Sequence, residues 1–138
     1  MARCRWVICC ERFEEVPDVS GGFPRASLYG VSDRIKTTSM PAITADIYVV
    51  FRVDAPELDP LQSHHGDMVV TAPSGTAVAQ IRGRHRVDMA GQAIWPYRLN
   101  APNAFSELGW YLVSLSAGGV TLCHDEPLLC VLAPGASR

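Results

Sequence analysis

The sequence predicts an all-β domain, an antiparallel sandwich, and three observations carry that prediction. Ten prolines and eleven glycines are scattered through the 138 residues, a punctuation that disfavours long helices. Between them, hydrophobicity alternates with a period of two, as in half-buried strands. Turn signals recur roughly every 8–12 residues, which suits an immunoglobulin-like or jelly-roll-like arrangement of about eight or nine strands. One domain covering residues 1–138 is expected, because a chain of this length buries roughly 70% of its unfolded surface around one core.

The elements follow in order. Arg3 and Arg5 precede an apolar run that begins like an export signal, but Glu11 and Arg12 cut it short of the roughly 7–15 apolar residues such a signal needs. Residues 5–10 therefore read as a strand, with Trp6, Ile8 and Cys10 on one face and Val7 and Cys9 on the other. Both faces are apolar, which predicts a central place in its sheet.

Residues 17–24 read as a loop and 27–35 as a strand. Over residues 43–53 the alternation is clearest: Ile43, Ala45, Ile47, Val49, Phe51 and Val53 oppose Thr44, Asp46, Tyr48, Val50 and Arg52, which predicts a half-buried strand. Met68, Val70 and Ala72 share a face against Asp67, Val69 and Thr71, and Pro73-Ser74-Gly75-Thr76 turns the chain into a strand over 77–82. Strands are also expected over 85–89 and 93–99, with a short helical turn at 102–108. A second hairpin joins 110–116 to 120–124 through Ala117-Gly118-Gly119, and a polar turn at Asp125-Glu126-Pro127 precedes a last strand over 128–132.

Composition narrows the function classes. Hydrophobic residues are 48% and charged residues 19% of the chain, a globular balance, and a net charge of −2 creates no general attraction to nucleic acid or anionic lipid. No stretch approaches the roughly 20 apolar residues of a membrane span. Cys4, Cys9, Cys10, Cys123 and Cys130 are odd in number with two adjacent, which suits reduced, buried thiols and a cytoplasmic location.

Candidate chemistry is sparse. His64 and His65 could ligate a metal, but neighbours in an extended segment point to opposite sides, and the cysteine spacings miss the short pattern of structural zinc sites. Cys123-His124-Asp125-Glu126 gathers a thiol, an imidazole and two carboxylates, the groups of a nucleophilic hydrolase, yet Cys123 and His124 should face apart. No phosphate-binding, dinucleotide-binding, zinc-protease, serine-hydrolase or calcium-loop motif is present. No cofactor, metal or catalytic residue is assigned.

The one strong local charge excess is Ile81-Arg82-Gly83-Arg84-His85-Arg86. In an extended chain Arg82, Arg84 and Arg86 project to one side, where they could grip phosphates or an acidic protein, or keep a sheet edge soluble. No stacking aromatics are interleaved with them, which argues against nucleic acid. Trp95 shares a face with Tyr97, whereas Trp110 and Tyr111 face apart. Trp95 and Trp110 are therefore the candidate interface anchors beside the three arginines.

The order of features resembles a group of uncharacterised small bacterial β-sandwich proteins. The resemblance rests on an early first strand, the segment Leu28-Tyr29-Gly30-Val31-Ser32-Asp33-Arg34-Ile35, a proline before a long strand, a hairpin with Ser74-Gly75, and Leu108-Gly109-Trp110-Tyr111-Leu112-Val113. It implies a compact β-sandwich and supplies no activity. The sequence thus points to a non-catalytic module that binds another protein or its own copies. The alternatives are a structural subunit of a phage-like or other multimeric particle, and a small metal protein or hydrolase using His64, His65 or the Cys123–Glu126 cluster.

Overall fold

The computed structural model describes residues 2–16, 25–31, 34–37, 47–99 and 105–132. They form ten strands and no helix: β1 (Arg3–Cys10), β2 (Arg12–Val16), β3 (Arg25–Tyr29), β4 (Arg34–Thr37), β5 (Ile47–Asp54), β6 (His64–Thr71), β7 (Ala77–His85), β8 (Gln92–Leu99), β9 (Gly109–Ala117) and β10 (Val120–Leu132). No helix among the described residues is long and apolar enough to cross a membrane. A three-stranded sheet, β1-β5-β8, faces a five-stranded sheet, β4-β10-β9-β6-β7, and β2-β3 form a separate ribbon. The fold is a β-sandwich, as the alternation predicts, and every pair is antiparallel except β4 with β10, which run parallel.

The core lies between the two sheets. Val49, Phe51, Val53, Trp95, Tyr97 and Leu99 from the smaller sheet meet Met68, Val70, Tyr111, Val113, Leu115 and Leu128 from the larger. Period two explains why: on β6 and β9 every second side chain is buried, and the intervening ones face outward. The predicted face of Met68, Val70 and Ala72 is the buried one.

Three boundaries differ from expectation. The strand expected over 27–35 is two strands, because Gly30 takes a left-handed φ of 64° and ends β3. The strands expected over 77–82 and 85–89 are replaced by one that runs on to His85, after which Arg86 leaves the ladder. The polar turn expected at Asp125-Glu126-Pro127 is a bulge inside one long strand. Asp125 adopts a φ of 51° and its N–H donates to Ser114 Oγ at 3.0 Å, so β10 bends without stopping. Pro127 is tolerated there because this part of β10 is paired on one side only, with β9.

The loop expected at 17–24, the strand start at 43–46 and part of the helical turn expected at 102–108 lie outside the described residues. The remainder of that turn is not helical. Phe105 is buried edge-on against Tyr111, with centroids 4.9 Å apart. The Tyr111 hydroxyl donates to the Glu107 carbonyl at 2.8 Å and accepts the Glu107 N–H at 3.1 Å. This contact resembles the tyrosine corner that locks Greek-key sandwiches.

The central place expected for β1 is a correction. β1 is an edge strand, and β5 is the middle strand of that sheet. β5 is also not half-buried as predicted: Val49, Val50, Phe51 and Val53 are all buried, and Arg52 is 9% exposed with Nη1 donating to the Val53 carbonyl at 2.8 Å. Apolar residues on both faces of β1 report layers above and below the strand. They say nothing of hydrogen-bonded neighbours at its sides. On the outward face Ile8 sits opposite Val50, and Cys10 is buried opposite Tyr48, whose ring lies 6.5 Å from Phe13 of the β2-β3 ribbon.

At the other side of the sandwich, β7 and β8 close the core through aromatic rings. His85 stacks on Trp95 at 4.8 Å and 12°, and Tyr97 lies 5.0 Å from His85. Gly66 and Gly83 stand opposite each other in the β6-β7 ladder and leave bare backbone beneath these rings. A methyl group at Gly66 would strike the Tyr97 hydroxyl, which is buried without a hydrogen-bond partner among the described residues. Gly66→Ala should therefore lower stability by about 1–3 kcal/mol. Tyr97→Phe, which removes that hydroxyl, should be neutral or stabilising and should soften the Gly66→Ala defect. Urea midpoints of the two single variants and the double variant check this, and strictly additive effects would count against the contact.

Candidate interaction face

The outward face of the five-stranded sheet gathers most of the residues singled out in the sequence. On β7, Arg82 and Arg84 point outward, while Ile81, Gly83 and His85 face the core side. β7 is the last strand of its sheet, so the arginines line an edge. Arg86 is also exposed, one residue past the strand end.

Pairing with β6 decides which charges are available. Arg82 stands opposite Asp67 and grips it through Nε at 2.8 Å and Nη2 at 3.5 Å. Its charge is matched within the sheet. Arg84 stands opposite the exposed His65 and, like Arg86, forms no ion pair among the described residues. The cationic end of the face is therefore Arg84 with Arg86.

Trp110 occupies the opposite end. It projects outward from β9 with 56% of its surface exposed, beside Leu108 at 44%, while Tyr111 points into the core. Asp67 aligns with Ser116 and Thr71 with Leu112, so the face grades from arginine and aspartate, through Val69 and Ser114, to Leu112 and Trp110. With strands about 4.8 Å apart and about 3.3 Å per residue, Trp110 lies roughly 22 Å from Arg82.

Trp95 is a correction. It is 1% exposed, one of the most deeply buried side chains, and cannot anchor a partner. It acts on the arginine segment from inside instead: its indole N–H donates to the Arg86 carbonyl at 3.0 Å, which fixes the path of the chain where β7 ends.

The other candidates do not converge. His64 and His65 open β6 and point to opposite sides; the His64 ring contacts the Asp59 carbonyl at 2.8 Å while His65 faces outward. Cys123 is buried while the exposed His124 pairs with Asp125 at 3.2 Å. No group of three or more His, Cys, Asp or Glu among the described residues could hold a metal ion.

No protein-family model matches this chain, and no curated protein is significantly similar to it.

Sequence reasoning missed Asp67 as the partner of Arg82 and Leu108 as the neighbour of Trp110. Leu108 was findable, two residues from Trp110; Asp67 was not, because a bulge between Val70 and Thr71 shifts the ladder by one residue from the register that the Pro73–Thr76 turn sets, which alone would put Asp67 opposite Ile81.

Burial of His85 against Trp95 and Tyr97 lowers its pKa to about 4. The folded state thus resists a proton that the unfolded chain takes up near pH 6.5, so this contribution to stability is complete above pH 6.5 and is lost as pH falls toward 4. Because the ring is only partly enclosed, the loss should be about 1–2 kcal/mol. Denaturation midpoints at pH 7.5 and 4.5 should fall less in His85→Phe than in the wild type. Equal falls would show that His85 is not the titrating group.

Proposed function

We propose that the protein is a non-catalytic interaction module that uses the outward face of the five-stranded sheet to bind a partner protein or a second copy of itself. The observation that supports this best is the pairing, on one face, of an exposed tryptophan with an unmatched arginine, Arg84, about 28 Å away. Trp110 offers a large apolar surface with little rotamer entropy to lose, and Arg84 and Arg86 offer planar donors for carboxylates. A span of this length fits the roughly 800 Å² that each partner buries in a standard interface.

Nucleic-acid binding is the weaker reading, since Arg82 is already matched by Asp67 and the tryptophan is too distant to stack beside a phosphate gripped by Arg84. A β-sandwich with a charged free edge also suits a subunit of a phage-like or other multimeric particle. The five free cysteines fit a cytoplasmic setting.

Sedimentation over a range of concentrations tests the self-association form. The wild type should dimerise or assemble, and Trp110→Ala should weaken association by about 10-fold or more with an unchanged melting temperature. Arg84→Glu should weaken it further at low salt than at high salt. A monomer at every concentration, with no partner recovered by cross-linking from its host that depends on Trp110, would end this reading.

A further inference from the structure

The seam where β1 passes β10 has no role in the interaction face, and it carries a second chemistry. β1 is the outer strand of the smaller sheet, and residues 120–128 of β10 are paired only with β9, so two ladder edges meet here. The strands approach within 8 Å, Cα to Cα, and run side by side in the same direction. No backbone ladder joins them among the described residues.

Each edge carries an irregularity at a cysteine. In β1 the register shifts between Cys4 and Trp6; in β10 it shifts between Thr121 and Cys123 and again between Cys123 and Glu126. Bulges re-aim side chains, and both cysteines at these irregularities line one cavity. Cys4 and Cys123 face each other's field across the seam, each being the largest influence on the other's pKa, and the Cys4 sulfur lies 3.2 Å from the Trp6 carbonyl. The cavity, of about 220 Å³, is lined by both Cys4 and Cys123, with Arg5, Trp6, Leu122 and His124 among the others. The remaining cysteines are placed differently. Cys9 and Cys10 are chain neighbours on opposite faces of β1, and Cys130 is wholly buried.

We infer that Cys4 and Cys123 form a peroxide-responsive dithiol that closes to an intramolecular disulfide across the β1–β10 seam. The Cys123 sulfur attacks one oxygen of hydrogen peroxide; the O–O bond breaks, hydroxide leaves and is protonated to water, and Cys123 becomes a sulfenic acid. The Cys4 sulfur then attacks the Cys123 sulfur, an S–S bond forms, the S–O bond breaks, and the hydroxyl departs with the Cys4 proton as a second water. Two thiols and one peroxide give one disulfide and two waters; the sulfurs lose two electrons, and the peroxide gains them. Cys123 is the attacking group because the neighbouring Cys4 thiol, as a hydrogen-bond donor, holds its pKa below the ordinary thiol range.

Treating the reduced protein with one to a few equivalents of hydrogen peroxide should yield a peptide pair joined through Cys4 and Cys123, lighter by two hydrogens and separated again by dithiothreitol. The oxidised protein should run as a compact monomer on a non-reducing gel. Its melting temperature should rise by about 10 °C, because the bond closes a loop of more than 100 residues. Cys4→Ser should abolish the crosslink and leave Cys123 trappable by dimedone as sulfenic acid, while Cys9→Ser should keep the crosslink. Oxidation of Cys123 to sulfinic acid without a joined peptide in the wild type, or joining of a different pair, would overturn the inference whether or not the variants fold.

Discussion

Two glycines opposite one another set how closely the sheets can approach at one side of this sandwich. Gly66 and Gly83 present no side chains, so His85, Trp95 and Tyr97 lie against the backbone of β6 and β7. That seat brings β8 under β7 and lets the Trp95 indole reach the Arg86 carbonyl. The path of the arginine segment, and so the cationic end of the outward face, depends on it. A larger residue at either glycine would push the rings away and loosen the edge from within.

The opposite side is held differently. There the two sheets meet through bulged edges and thiols instead of interlocked rings, with small cavities between them. Aromatic rings sit on bare backbone at one side, and a cavity of about 220 Å³ opens where β1 lies against β10. That opening leaves room for chemistry at Cys4 and Cys123.

The sandwich was legible because alternation survives wherever a strand has one wet face. Met68 and Val70 against Asp67 and Val69, or Tyr111 and Val113 against Trp110 and Leu112, could be sorted from the sequence alone. The pattern failed where both faces are covered. Tyr48 and Arg52 are polar enough to suggest a wet face on β5, yet Arg52 is buried and Tyr48 half-buried, and β5, not β1, holds the central place in its sheet. Pairing was less legible still. That Asp67 takes the charge of Arg82, that Trp95 lies inside while Trp110 lies outside, and that Cys4 meets Cys123 from more than 100 residues away are consequences of register and sheet order, which periodicity does not encode.

The parallel contact of β4 with β10 has a consequence for how the chain is made. Arg34 to Thr37 pair with Leu129 to Leu132, about 95 positions later, and β10 is also the strand that β9 and the β1 edge need. At roughly 5–20 residues per second a ribosome takes about 5–20 s to cover that interval. For that time β4 has no ladder to join, and the larger sheet cannot be completed until its second-to-last member in spatial order is supplied. Folding is therefore gated by the delivery of one bent strand, and a nascent chain stalled before β10 would display unpaired edges on both sheets.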